Sequence, residues 1–249
     1  MGVNSKVWGQ YLWRLLHCLT YTYQPNMPSE QKAKLIRIFH VLKDLIPCPV
    51  CRNHYTIRCN KNPPERNMAN TDQFVMWLSN IHNEVNSGLG KPYVSKRQSD
   101  YQYVKNGKVQ FDFRDFVVLF RIMTMINYVN FMAVQKFLEL FFELVPENVL
   151  IKNAPNSYKS INNINSNMTL NIWITSFDNE FAKNKKSTPY LSNPNIVPRV
   201  VEDEVFAREN RGVILTTKTN LSTTPKTPPK KNTIVKNEID VFLKTYKII

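Results

Sequence analysis

Cys48 and Cys51 stand two residues apart in Pro47-Cys48-Pro49-Val50-Cys51. Thiols at that spacing can close and reopen a disulfide, or share a metal ion. The apolar run before them, Leu35, Ile38, Phe39, Leu42 and Leu45, predicts a helix that stops at Pro47. The run from Val50 to about Cys59 predicts another. Pro49 suits its first position, where a backbone N–H would have no partner in any case. Cys48 then falls near the N-cap and Cys51 in the first turn. Unpaired N–H groups and the positive end of the helix dipole both favour a thiolate there. Three readings stay open: a redox pair, a zinc site, or buried inert thiols. Cys48, Cys51, His54 and Cys59 form a knuckle-like pattern. A zinc knuckle, however, has four residues between its second cysteine and its histidine where this chain has two. No glycine lies between Cys48 and Cys59 to turn the backbone around a tetrahedral ion.

Ring-bearing residues flank this pair in sequence. Over 7–22 apolar groups recur at helical spacing, with Trp8, Leu12, Leu15 or Leu16, and Leu19. A second face of the same helix carries Trp13, His17 and Tyr21, four residues apart. Three rings on one face line a pocket for a flat ligand, or are core aromatics with one satisfied histidine. A further helix is predicted over Thr71 to Ser87, with Gly88 at its exit and Phe74, Trp77, Leu78, Ile81 and Val85 apolar. On it His82 and Asn86 share a face, with Asn83 beside it. These side chains suit hydrogen bonds to a heteroaromatic ring, or form an ordinary polar helix end.

The remaining elements follow from pattern. Ser29 is a candidate cap for a helix running to about Ile46. Residues 60–70 form a polar loop, and Lys91 to Tyr103 a basic one. Asn106-Gly107 signals a short hairpin between 101–104 and 109–111. Phe113 to Val145 reads as one long helix or two, ended by Pro146. It is apolar nearly all round, so it needs a partner surface in this chain or another. Residues 153–171 read as a loop, 172–182 as a short helix, 196–215 as short mixed elements and 239–249 as a terminal helix. Residues 216–236, rich in Thr, Pro and Lys, have the composition of a disordered tail. No internal repeat is apparent.

Composition narrows the classes. The chain of 249 residues is 43% hydrophobic, ample for a core, and has only 6 glycines, too few for a glycine-rich nucleotide-loop protein. Its net charge of +14 is concentrated in part at 183–186 and 218–236, which favours a basic tail over a nucleic-acid groove. Four cysteines are too few for a disulfide-scaffolded secreted domain. Arg14 and His17 break the first apolar run, so no signal peptide is expected. Lys6 stands where an acylation motif wants Ser or Thr. The most apolar window, Ile122 to Val134, is about half of a bilayer span. The expectation is a soluble, intracellular protein.

Read together, Trp8-Gly9, Trp13, Leu16-His17, the Cys48–Cys51 motif, Trp77-Leu78, His82-Asn83-Glu84-Val85-Asn86 and Leu89-Gly90-Lys91-Pro92 resemble the Erv/ALR family of FAD-linked sulfhydryl oxidases. The resemblance covers about residues 7–95. It implies an all-α fold: a four-helix bundle with a short fifth helix, holding FAD non-covalently, and a homodimer. A C-terminal, mainly helical accessory region and a partly disordered tail would complete the chain. The corresponding division is 1–104 catalytic, 105–215 accessory and 216–249 tail.

By resemblance, Cys51 lies beside the flavin and Cys48 meets substrate. Trp8, Trp13, His17 and Tyr21 line the flavin from the first helix. Trp77, His82, Asn83, Val85 and Asn86 hold it from the fourth, Lys91 sits near the phosphates, and Tyr93 contributes. A protein dithiol reduces the Cys48–Cys51 disulfide, and electrons pass through FAD to O2, giving hydrogen peroxide. The chain departs from the family in two places. Ser79 stands where many members begin a structural disulfide, and no second shuttle pair exists, since Cys18 and Cys59 are single. Both are expected to be free. Electrons then come straight from substrate, for instance a thioredoxin-like carrier. Such minimal cores are similar to those of large cytoplasmic DNA viruses, which implies disulfide formation in virion proteins, in host cytoplasm or virion. The rival reading is a zinc-binding, basic nucleic-acid module; a third is a redox-dead interaction protein.

Overall fold

A computed structural model describes residues 5–145 and 149–192. It is all-α apart from one two-stranded hairpin. The helices are α1 (Ser5–Thr22), α2 (Ser29–Leu45), α3 (Pro49–Lys61), α4 (Thr71–Gly88), α5 (Lys96–Tyr103), α6 (Phe113–Met123), α7 (Phe131–Leu144), α8 (Val149–Asn153), α9 (Pro155–Lys159) and α10 (Asn167–Lys185). Short 3-10 turns lie at Pro64–Asn67 and Ile161–Asn163. The hairpin pairs β1 (Val104–Lys105) antiparallel with β2 (Lys108–Val109) around Asn106 and Gly107, both at positive φ.

α1 to α4 form the bundle, with α5 packed across α1 and α4. The apolar residues expected of the second helix, Leu35, Ile38, Phe39, Leu42 and Leu45, are all fully buried. They meet α4 through Phe39, whose ring stands edge-on to Phe74 and Trp77 at 5.2 Å. The helices after residue 112 cover the bundle: α6 lies on α1 and α7 on α2. The apolar α7 thus finds its partner surface in the same chain. Lys34 of α2 reaches Glu143 of α7 at 2.8 Å, and Arg14 of α1 holds Asp115 of α6 through two contacts of 2.8 and 2.9 Å.

Several boundaries differ from the sequence pattern. Ser29 is the first helical residue of α2 and caps nothing; Pro28 precedes it. The exit from α4 turns at Gly90 (φ +67°) rather than at Gly88, which is still helical. The basic loop 91–103 ends in a helix, α5, and Tyr101 to Tyr103 belong to it rather than to the hairpin. Its Ser95–Gln98 capping box pairs two orphan donors and starts the helix without an apolar stripe. The apolar run from 113 is two helices, interrupted at 124–130. Residues 153–171, expected as loop, contain α9, a 3-10 turn and the first turn of α10, whose Ser166 cap accepts from Thr169 N–H. α10 outruns the helix expected over 172–182 at both ends. Pro146 as helix stop, the elements at 196–215, the tail at 216–236 and the terminal helix at 239–249 lie outside the described residues. Among the described residues no helix is long and apolar enough to cross a membrane.

Candidate functional site

The cysteine motif folds as its residue types dictate. Pro49 occupies the first turn of α3 and Cys48 is the N-cap. The Cys48 sulfur accepts the Cys51 N–H at 3.2 Å, and the two sulfurs are joined in a disulfide whose Cα atoms are 5.2 Å apart. Both residues are half-buried, so one edge of the pair faces solvent. Arg52, next in the chain, donates to the Ile46 carbonyl at 2.9 Å and locks the start of α3 to the end of α2. No acidic residue stands in the first turn of α3. Once reduced, either sulfur therefore sits among free N–H groups at the positive end of a helix, which lowers a thiol's pKa.

Two cross-links set α3 against α4. Trp77, early in α4, donates its indole N–H at 2.7 Å to the carbonyl of Asn62, the C-cap of α3. Glu84, late in α4, pairs with Arg58 at 2.6 Å. The helices run in opposite senses, so the Cys48–Cys51 end of α3 lies toward the C-terminal end of α4. α1 has the same sense as α3. Its Trp13 and His17 meet His82, whereas Cys18 and Tyr21 cluster with Val75 near the start of α4.

At that end the rings form one array. Trp13 stacks on His82 with centroids 4.1 Å apart and planes 7° apart. His17 Nε2 lies 3.0 Å from His82 Nδ1, so one of the two donates and the other accepts. Tyr103 of α5 stacks on His17 at 4.9 Å. Burial drives both histidines toward the neutral form. His17 is held well below the usual histidine range, chiefly by desolvation and then by His82. His82 is lowered to about 4 by desolvation and then by the positive charge of Lys91. Within the array His17 Nδ1 is buried without a partner; elsewhere on α1 Trp8 Nε1 and the Tyr11 hydroxyl are buried and unpartnered too. Orphaned buried groups of this kind suit a polar ligand better than a closed core.

The other residues singled out in the sequence take varied places. Asn83 brackets the backbone of Val94, donating to its carbonyl at 2.9 Å and accepting its N–H at 2.8 Å. Asn86 is buried, and its carbonyl accepts the Lys91 N–H at 2.8 Å. Val85 is half-buried, while Lys91 and Tyr93 are exposed beyond the turn. Tyr21 gives its hydroxyl to Asp100 at 2.7 Å. Trp77 is a core residue by its contacts, stacked on Phe74 with planes 9° apart. Three partners escaped the sequence reading: Tyr103, Asp100 and Arg14. The Ser95-x-x-Gln98 capping signature was the available sign that a helix would bring the first two to α1.

The other two cysteines stand apart from this chemistry. Both are buried free thiols. Cys18 donates to the Gln110 carbonyl at 3.3 Å, and burial pushes its pKa up to about 12. Desolvation raises Cys59 as well. The knuckle-like set does not converge: Cys48 and Cys51 are bonded to each other, His54 is exposed and Cys59 is buried. Among the described residues no three metal-ligating side chains gather.

The sequence model of the Erv1 / Alr family matches residues 10–105, the span that contains the disulfide and the ring array. The chain is 32% identical over 90 residues to a probable FAD-linked sulfhydryl oxidase of Acanthamoeba polyphaga mimivirus, covering 36% of this chain and 63% of that one. It is 30% identical over 89 residues to the FAD-linked sulfhydryl oxidase ERV1 of Arabidopsis thaliana, covering 36% and 46%. A FAD-linked sulfhydryl oxidase of African swine fever virus is 29% identical over 111 residues, covering 42% and 92%. The match thus spans about half to two thirds of the length of the Arabidopsis and mimivirus relatives. No solved structure matches.

Proposed function

We propose that the chain is an FAD-dependent thiol oxidase that makes disulfides in protein substrates, with residues 1–104 as its catalytic part. The observation that carries this reading is the Cys48–Cys51 disulfide at the start of α3, set at the same end of the bundle as Trp13, His17 and His82. Relatives named as FAD-linked sulfhydryl oxidases support it. His17 Nδ1 is buried and unpartnered, Trp8 Nε1 on the same helix is too, and His17 and His82 are held toward the neutral form, so the residues present fit a polar heteroaromatic ring system. Trp8, Trp13, His17, Tyr21, Trp77, His82, Asn83, Val85 and Asn86 would hold FAD, with Lys91 near its phosphates and Tyr93 contributing. When bound, FAD would supply a two-electron acceptor, which O2 reoxidises while itself being reduced to hydrogen peroxide.

The cysteine pair takes its electrons in two exchanges. One substrate thiolate attacks the sulfur of Cys48; an S–S bond to substrate forms and Cys51 leaves as a thiolate. The free N–H groups of the first turn of α3 stabilise that charge. A second substrate thiol displaces Cys48, so substrate leaves as a disulfide and the enzyme holds a dithiol, two electrons richer. Neutral, stacked His82 and His17 keep Trp13 fixed and place no charge beside the ring site. The substrate is a protein dithiol, a thioredoxin-like carrier or virion protein, and the setting is host cytoplasm or virion. Pairing of two copies would need a surface other than α1 and α2, which α6 and α7 cover.

Absorbance before and after anaerobic dithiothreitol tests the reading in one sample. A yellow protein that bleaches, and recovers colour on admitting air, is expected. A colourless preparation that cannot be reconstituted with FAD overturns it. Cys51→Ser should abolish dithiol-driven oxygen consumption.

A further inference from the structure

The helices after residue 112 repeat the order of those before 90. In the first set two helices, α1 and α2, are followed by the shorter α3, a 3-10 turn and the long α4. In the second, α6 and α7 are followed by the short α8 and α9, a 3-10 turn and the long α10. Packing repeats too. α1 lies on α4 as α6 lies on α10, and α2 lies on α3 as α7 lies on α8. The 3-10 turns lean on α2 and α7 respectively.

The correspondence extends to single atoms. Each long helix is capped by a side chain accepting an N–H three residues on, Asn70 from Gln73 and Ser166 from Thr169. Each carries a tryptophan at the same register beyond that cap. Trp77 donates to the carbonyl of Asn62 at 2.7 Å, and Trp173 to that of Ser157 at 2.9 Å. The separations along the chain are 15 and 16 residues. Asn83-Glu84 and Asn179-Glu180 follow at one register. Glu84 holds Arg58 on α3, and Glu180 accepts the N–H of Asn156 and Ser157 on α9. Both helices exit through a left-handed residue, Gly90 at +67° and Lys186 at +53°. In the sequence, Leu45-Ile46-Pro47-Cys48-Pro49-Val50-Cys51 is matched by Leu144-Val145-Pro146-Glu147-Asn148-Val149-Leu150.

The chemistry is gone from the second set. All four cysteines and all four histidines precede Asn83. Asp178 stands at the register of His82, and its carboxylate accepts the N–H groups of Tyr190 and Leu191 at 2.9 and 2.6 Å. Where Trp13 stacks on His82 in the first set, Phe113, Phe177 and Phe181 fill the second with ring contacts of 4.9 and 5.5 Å. These matches are too sparse, and fall too seldom on identical residues, to show as a repeat along the sequence.

The contact between the sets has the form of an isologous interface, in which each element meets its own counterpart: α1 meets α6, and α2 meets α7. We propose that residues 113–192 are a degenerate second copy of the 5–90 bundle, seated in cis on the α1–α2 face where a second chain would otherwise pair. The copy has lost its dithiol and filled its ring site, and its function is to cover that face. The flavin count below rests on the oxidase reading; the seat does not.

Carbodiimide coupling of an equal mixture of nitrogen-14 and nitrogen-15 full-length chains tests it. Lys34 and Glu143 are 2.8 Å apart across α2 and α7 and should couple; Lys136 and Glu139, 3.0 Å apart within α7, serve as control. The expected product joins peptides of one isotope only, with at most one flavin released per chain. Mixed-isotope Lys34–Glu143 products overturn the proposal, as does their absence while the control couples. Two flavins per chain also overturn it. Unmixed products with no flavin would sink the oxidase reading and leave the seat supported.

Discussion

At the scale of single residues, the four cysteines divide by environment rather than by spacing alone. Cys48 and Cys51 are half-buried and joined at a helix start, while Cys18 and Cys59 are buried and free. A thiol reacts as the thiolate, so burial that raises Cys18 to about 12 and raises Cys59 makes both inert at neutral pH. Titration with an aromatic disulfide reagent at pH 7.5 should find no reactive thiol in the native oxidised protein and two after denaturation. Prior reduction and removal of the reductant under argon should add two fast thiols, Cys48 and Cys51, to the native count. Cys18→Ala should leave thiol oxidation intact. Fast native labelling of Cys18 or Cys59 would show that neither is sealed.

At the scale of elements, the stretch after α4 is pinned by the side chain of Asn83. Asn83 makes two hydrogen bonds to Val94, and that fixes the approach to α5. Asn83→Ala removes both and strands a partly buried amide, a loss of about 1–3 kcal/mol in unfolding free energy. The same variant should release flavin more readily, because α5 carries Tyr103 onto His17. Gly90→Ala should lower stability by about 1 kcal/mol, since its φ of +67° disfavours a Cβ although the space around it is open. Denaturant midpoints check both. The same elements differ in how far the sequence announces them. α2, α3 and α4 are legible because apolar spacing, Pro47 and Pro49 coincide with the ends of packed helices. α5 buries only Ser99 and Tyr103 and has no aliphatic residue, so its pattern carries no periodic signal and only the capping box marks it. The Asn- and Ser-rich 153–171 stretch hid α9 and the start of α10. There Trp173 and Glu180 hold the short α9, whose own composition favours turns. Within the site, the cysteine cap geometry followed from residue types, whereas the Trp13–His82 stack needed the antiparallel setting of α1 and α4.

At the scale of the whole molecule, the two halves oppose each other in their response to acid. His82 is lowered from 6.5 to about 4 by burial, so between those values the unfolded chain binds a proton that the native one refuses. Stability from this group is full above pH 6.5 and is lost as pH falls toward 4; His17 acts in the same direction. Asp115, on the face between α1 and α6, is raised from 3.8 to about 6, because burial outweighs the pull of Arg14. Its contribution is full below pH 3.8 and is lost as pH rises through 6. At about 1.36 kcal/mol per unit, each of His82 and Asp115 is worth roughly 3 kcal/mol over its window. Their slopes nearly cancel between pH 4 and 6, leaving the gentler rise due to His17. His82→Gln should flatten or reverse that rise. Asp115→Asn should steepen it, and the variant should gain on wild type by roughly 3 kcal/mol between pH 4 and pH 7. Urea unfolding of flavin-free protein at half-unit pH steps reads both slopes. If the Asp115→Asn variant instead loses ground as pH rises, the guanidinium of Arg14 governs the carboxyl. The α1–α6 contact is then held chiefly by charge, rather than by the apolar packing around it.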